Sequence, residues 1–480
     1  MQEIDDELLK LPAKELVGII RRQEETIRRQ QEIIERLEKR VAALEEELRE
    51  SKRAKAPFSK GLRNRSAKRP GRRAGEGLFV RRSEPQAAPG DAMEEIAVKL
   101  EAGQRRCPRC DTPLVRGQEV ATVEDTPERT PRVIKRFIVE TGRCPQCGFQ
   151  MRGRHPELSP GQSGGNAHQV GPQVRALALG LHYHDGLPLR RVPAVIARMT
   201  GIRLTQSALT QSAGKLCEEG ALLDGHYKAL RKRIAGSAVV NTDDTGWRVS
   251  ATLAFLMGFF TGDTAYYQVR LRHRHQEVLE VLGENFGGMM GTDRGPSYEA
   301  EALSGIAMQK CLSHLLKNLS EVEARKSGRA KTFTSALKVT LREGLKLWQD
   351  YRRGEMTLRA YRRRGRKIER CLGEQLRDRA LSDADNQRML DGIGYQHDRG
   401  RLTLFLERPE IEPTNNRAER GLRPAVIARK VSHCSKNQRG AKTYSVMKTI
   451  FTTLALRTNN IVKAFTEILR GKTLEAACER

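Results

Sequence analysis

The chain has 480 residues and carries 87 Lys and Arg against 59 Asp and Glu, a formal net charge of +28. A length on this scale predicts about three domains, and so large a positive excess costs self-repulsion unless a polyanion, nucleic acid first among candidates, neutralises it. No run approaches the roughly 20 apolar residues of a membrane helix, no basic segment leads into an apolar leader, and nine cysteines with four in C-x2-C pairs fit a reducing compartment better than a disulfide framework, so a cytoplasmic protein with no membrane partner is expected.

Residues 1–50 are expected to form a coiled coil. Ile20, Ile27, Ile34, Val41 and Leu48 recur every seven positions, and Leu16, Leu37 and Leu44 fill the other seam position. β-branched residues at one seam position and Leu at the other favour a parallel pair of strands, so a homodimer or higher oligomer is predicted; a solitary solvated helix is the alternative. Residues 51–95 read as a basic disordered arm, with twelve Lys or Arg and one acid, Glu76, between Lys52 and Arg82. Such an arm contacts phosphates without reading sequence, or serves as a solvated linker.

Residues 96–155 hold Cys107-Pro-Arg-Cys110 and Cys144-Pro-Gln-Cys147, 33 residues apart around a strand-like stretch. Two such knuckles supply four thiolates to one tetrahedral Zn²⁺, the spacing of a zinc ribbon; four sulfurs leave no open position, which makes the predicted zinc structural. Residues 156–235 read as helices, Val174–Leu181, Arg190–Met199 and Gln206–Leu223, with Thr205 as a cap and Gly201 as a stop. They suit either a helix-turn-helix or a packing scaffold.

From Ala238 the pattern turns to strands, Ala238–Thr242, Leu253–Thr261 and Ala265–Val269, then a helix His275–Leu282 and a strand ending at Asp293. Asp243 and Asp293 are each expected at the tip of a buried strand. Glu419 is expected on a helix that starts at Pro413 and Thr414, with Asn415, Asn416 and Glu419 on one face. The order suits an α/β core of the RNase H-like kind over residues 236–450, interrupted by a helical insertion at about 320–405 and followed by a helical tail, 451–480. Carboxylates so arranged can hold two hard divalent cations, Mg²⁺ or Mn²⁺, beside a phosphodiester, which points to Asp243, Asp293 and Glu419 as metal ligands.

Three boxes carry a family resemblance. Asp243-Asp244-Thr245-Gly246-Trp247 resembles the Asp-Glu-Thr-Gly-Trp box of transposases of the insertion sequence 66 family. Cys311-Leu312-Ser313-His314-Leu315 resembles their Cys-Trp-Ala-His-Leu box, and Pro413-Thr414-Asn415-Asn416-Arg417-Ala418-Glu419-Arg420-Gly421-Leu422-Arg423-Pro424 resembles their last box. The coiled coil, basic arm, four-cysteine element and Gly186-Leu187-Pro188-Leu189-Arg190 segment occur in that family in the same order.

The resemblance implies a DDE triad of Asp243, Asp293 and Glu419 with Asn415, Asn416 and Arg420 in support. It also implies binding of the element's terminal inverted repeats, cleavage and strand transfer into double-stranded target DNA, an association with the nucleoid and small companion proteins encoded beside the transposase. Asp244 stands where the family usually has Glu, and alternation along a regular strand lets only one of Asp243 and Asp244 face the metals. The arm lacks the family's Gly-Gly-Gln-Pro-Gly-His signature, and Leu312 and Ser313 replace Trp and Ala. Cys311, His314 and Trp247 are read as core residues, and Lys430, Lys436 and Arg439 as an exposed basic stretch. The competing expectation is a non-catalytic, zinc-containing dimeric DNA-binding protein; no Tyr or Ser nucleophile constellation supports a covalent recombinase.

Overall fold

The computed structural model describes residues 12–54, parts of 133–155, and 170–479 apart from 378 and 379. Helix α1, Ala13–Ala54, forms a single rod of 42 residues, about 63 Å long. Ile20, Ile27, Ile34, Leu37 and Val41 of the heptad seam are all exposed along it. The basic arm beyond Ala54 lies outside the described residues, as do Cys107, Cys110 and Cys144. Cys147 is exposed in the turn of a short antiparallel hairpin, β1 (Thr141–Arg143) and β2 (Gln150–Arg152).

Four helices follow: α2 (Pro172–Tyr183), α3 (Val192–Thr200), α4 (Gln206–Leu216) and α5 (Leu222–Ala235). Thr205 caps α4 by accepting from Ala208 N at 3.2 Å, and Gly201 closes α3 in a left-handed conformation at φ 69°. The helix expected over Gln206–Leu223 is broken in two: Gly220 turns at φ 72°, and its N–H meets the carboxylate of Asp224, so α5 starts afresh.

The sheet has five strands, β3 (Val239–Val249), β4 (Thr252–Phe260), β5 (Ala265–Arg270), β6 (Met289–Thr292) and β7 (Ala307–Lys310), with helix α6 (His275–Leu282) between β5 and β6. Their order is β5-β4-β3-β6-β7; β3, β4 and β5 pair antiparallel, whereas β6 and β7 run parallel to β3. This mixed sheet with helices packed on both faces is an α/β core. β3 is longer than its sequence suggested. The apolar run ends at Val240, yet antiparallel pairing with β4 from Asn241↔Phe260 to Val249↔Thr252 carries the strand through Asp243 and on to Trp247.

Between β7 and the Glu419 helix the chain makes an all-helical excursion: α7 (Leu312–Glu323), α8 (Arg329–Arg352), α9 (Leu358–Gln375), α10 (Ala384–Asp398) and α11 (Leu404–Glu407). It has its own apolar core, including Leu319, Leu337, Tyr361, Leu372, Ile393 and Phe405. Its two ends meet, for Leu312 N donates to Pro413 O at 3.0 Å. α12 (Asn416–Ser432), α13 (Gln438–Arg457), α14 (Ile461–Leu469) and α15 (Leu474–Cys478) complete the chain. No helix among the described residues is long and apolar enough to cross a membrane.

α13 packs on β5 through hydroxyls. Ser445 Oγ, Thr449 Oγ1 and Thr453 Oγ1 accept from Val269 N (3.1 Å), Tyr267 N (2.9 Å) and Ala265 N (3.1 Å), so every second amide of β5 finds a partner on the helix. These donors are buried, and a buried amide without an acceptor costs about 1–3 kcal/mol. Thr449→Val keeps the shape and deletes the acceptor, so urea titration of the variant is expected to show a stability loss of about 1–3 kcal/mol; an unchanged midpoint would mean that Tyr267 N is satisfied otherwise.

Candidate active site

β3 supplies the first acidic residue, and strand alternation separates its two aspartates. Asn241, Asp243, Thr245 and Trp247 share one parity, and this is the face on which α12 lies: Asn241 reaches Asn415, and Trp247, 2% exposed, joins the core containing Ala418, Leu422 and Ala425. Asp244 has the opposite parity. Its carboxylate approaches His273 Nδ1 at 3.6 Å, and the His273 ring stacks on Phe255 with centroids 4.0 Å apart.

Asp293 follows the last residue of β6, next to β3. Cys311 N bonds Thr292 O at 2.8 Å and fixes the end of that strand. Asp293 Oδ1 accepts from Gly295 N at 2.8 Å, so the loop beyond the strand orients the carboxylate.

Glu419 arrives from the far side of the insertion, in the first turn of α12. The expected cap, Thr414, is replaced by Asn415, whose side chain makes no capping bond because it is turned into the sheet. Asn415 is 1% exposed; its Nδ2 donates to Thr242 O at 2.8 Å, its Oδ1 accepts from Asn241 Nδ2 at 3.1 Å, and its backbone N meets Cys311 Sγ at 3.1 Å. One buried residue thus ties the start of α12 to β3 through its side chain and to the start of α7 through its backbone. Further along, Arg417 donates to Thr261 O at 2.9 Å and pairs with Glu412, Tyr267 Oη donates to Gly421 O at 2.6 Å, and Arg429 bonds Thr245 Oγ1 and Gly246 O.

These anchors bring Asp243, Asp293 and Glu419 into one electrostatic neighbourhood. Burial, and then the charges of Asp293, Asp244 and Glu419, push the Asp243 carboxyl up to about 7, against one lowering bond from Asp244 N. Burial and Asp293 also raise Asp244, which His273 partly offsets; Glu419 is not among its causes. Of the two neighbours, Asp243 is the one on which the charge of Glu419 acts. A buried carboxyl with other carboxylates acting on it, as Asp243 is, resists ionising until a cation joins it, and carboxylate oxygens are the donors that suit Mg²⁺ or Mn²⁺.

Other residues fall differently from their sequence reading. Cys311 is buried as expected, at the head of α7. His314 is not a core residue: it is half-exposed, and its Nδ1 lies 3.7 Å from Glu419 Oε1. Cys311, His314 and Glu419 place one potential ligand atom each within 4.8 Å of one another. The Cys-x-x-His spacing was visible, but its proximity to Glu419 needed the fold. Asn416 is half-buried and Arg420 exposed. Lys430 and Lys436 are exposed, while Arg439 pairs with Glu218. Asn241 and His273 were missed altogether. A signal for Asn241 existed in Gly291, opposite it on β6, where a Cβ would come within 2.5 Å of Asn241 Nδ2.

Known proteins point the same way. A sequence model described as Transposase IS66 family matches residues 167–443. An uncharacterized protein of Sinorhizobium fredii, y4qI, is 25% identical over 367 residues, which is 70% of this chain and 66% of that relative, just under two thirds of its length. The family match spans more than half of the chain, from α2 to α13, and includes the sheet and all three carboxylates; the chain belongs to the IS66 transposase family.

Proposed function

We propose that the protein is a DDE transposase that binds the terminal inverted repeats of its own mobile element, cleaves there to expose 3′-hydroxyls and joins them to double-stranded target DNA. The observation that supports this reading is that Asp243, half-way into the core, feels the charges of Asp293 and Glu419, which come from segments up to 176 positions away, and is pushed up to about 7. A strand order with β3 central and Asp293 at the end of its neighbour supports the RNase H-like form of the α/β core. In this reading Asp243, Asp293 and Glu419 hold divalent metal, Mg²⁺ or Mn²⁺, which when bound supplies activation of the attacking hydroxyl and stabilisation of the leaving oxygen.

The chain's own contribution is position. Asn415 and Asn241 fix the first turn of α12 against β3, the Gly295 amide orients Asp293, and Arg417 and Tyr267 keep α12 from sliding along β4 and β5. Metal-dependent cleavage and joining of DNA carrying the element's ends, wild type against carboxylate variants, tests the assignment.

The remaining parts belong to the same proposal. The exposed seam of α1 supports a homodimer or higher oligomer. Cys107, Cys110, Cys144 and Cys147 form the structural zinc site, a reading supported by Cys147 in the turn of a hairpin. Elemental analysis of the purified chain is expected to give one zinc per polypeptide, reduced in Cys147→Ser; a metal-free wild-type protein that keeps its fold would remove the zinc ribbon from this description. Companion proteins encoded by the element are included in the proposal as partners.

A further inference from the structure

We infer that the outer face of α9 in the helical insertion is a docking surface for the phosphate backbone of duplex DNA, distinct from the carboxylate site; this rests on the transposase reading for its substrate class. Arg359, Arg362, Arg363, Arg366 and Arg370 are all exposed. At 3.6 residues per turn they fall within an arc of about 100° and span about 17 Å of helix. The buried residues of the helix, Tyr361, Gly365 and Leu372, lie on another face, where Gly365 packs against Leu406. The stripe therefore points away from the insertion's core.

The stripe differs from such surface arginines as Arg353, which pairs with Asp350 and Glu355, and Arg388, which pairs with Asp385. On α9 Glu369 is turned towards His397, with Oε1 3.1 Å from Nε2, and Glu374 lies one turn beyond Arg370. Among the described residues none of the five arginines has an ion pair, and the one hydrogen bond they make runs from Arg362 Nε to Glu407 O at 3.2 Å. A solvated helix normally interleaves acids at i+4 to relieve repulsion. Five aligned guanidiniums free of ion pairs are complementary to a surface that presents one negative charge for each ~1.7 Å of duplex axis.

The stripe is also held in register with the site. Tyr361 Oη donates to Phe405 O at 2.7 Å, Phe405 N donates to Gln309 Oε1 at 3.1 Å, and Gln309 lies on β7 of the catalytic sheet. Arg401 adds an ion pair at 2.8 Å to Glu299 on the loop beyond Asp293. DNA gripped by α9 stands at a fixed offset from the three carboxylates.

The test is the salt dependence of binding by the full chain to a random-sequence duplex in metal-free buffer, where cleavage plays no part. Each phosphate neutralised contributes about −0.9 to the slope of log K against log salt. The variant carrying Arg359→Gln, Arg363→Gln, Arg366→Gln and Arg370→Gln is expected to flatten that slope by up to about 3.6, while the matching Lys variant keeps it. A slope unchanged in the folded Gln variant overturns the inference. So does an unchanged slope with weakened self-association, which would assign the stripe to an acidic surface of a second copy. The two readings fail separately: a Glu419→Gln protein that still joins DNA strikes at the catalytic assignment and leaves the slope measurement standing.

Discussion

Asp243→Asn, Asp293→Asn and Glu419→Gln are each expected to lower strand transfer by about a thousandfold or more, roughly 4 kcal/mol of transition-state stabilisation, with binding to the element's ends retained. Each substitution is nearly isosteric and removes one negative charge from a cluster in which those charges already oppose one another, so the fold loses nothing it depends on. Thermal stability of the metal-free variants is expected to equal or exceed that of the wild type, because burial and repulsion currently raise Asp243. Asp244→Asn separates the neighbours: its side chain faces His273 on the other parity of β3, and transfer is expected to stay within about tenfold of wild type. If Asp244→Asn were inactive and Asp243→Asn active, the assignment along β3 would be reversed. Full activity in Glu419→Gln would sink the triad.

Gly421→Ala should destabilise the protein although the same change in an ordinary helix stabilises it. The Phe260 ring lies between two glycines: a Cβ on Gly258 would come within 2.6 Å of its Cε2, and one on Gly421 within 2.5 Å of its Cζ. Gly258 is also the residue paired with Asp243 across β3 and β4. Replacing Gly by Ala in a helix interior gains up to about 1 kcal/mol of propensity, whereas forcing extra atoms into a packed core costs about 1–3 kcal/mol. At this distance the steric term wins, and Gly421→Val should be worse than Ala. The chemistry suffers as well: Glu419 sits two residues away, and a displacement of about 1 Å at a reacting centre can cost about a hundredfold. Chemical denaturation combined with the joining assay checks both parts. A more stable Gly421→Ala protein would show that α12 has room to spare.

Much of the site was legible because its carboxylates sit in local contexts that the sequence displays. Asp293 closes a short apolar run, and Glu419 lies three residues past a Pro-Thr-Asn-Asn start, so both elements were placed to within a few residues. Asp243 was assigned to a strand tip because Asp, Thr and Gly interrupt the apolar pattern there; pairing with β4 overrides that local weakness and extends the strand to Val249. The N-cap reading of Thr414 failed for a related reason. Asn415 serves a tertiary bond to Thr242 O, and no local rule distinguishes an Asn that caps its own helix from one that enters a neighbouring sheet. His273 and His314 acquire their meaning from acids 29 and 105 positions away. The helices of the insertion could be read from their pattern, whereas the stripe on α9 needed to be seen exposed and without ion pairs.

The three hydroxyls that meet β5 give the sheet a kind of false neighbour. β5 is the outermost strand on its side, and a row of unpaired amides there would be an invitation to another chain's strand. A helix rises about 6.0 Å over four residues and a strand about 6.8 Å over two, so each successive rung slips by roughly 0.8 Å. Across three rungs the slip stays within what a hydrogen bond tolerates; a fourth would exceed it. The six-residue length of β5 is therefore about as long as a helix can imitate a strand, and the sheet grows no wider on that side.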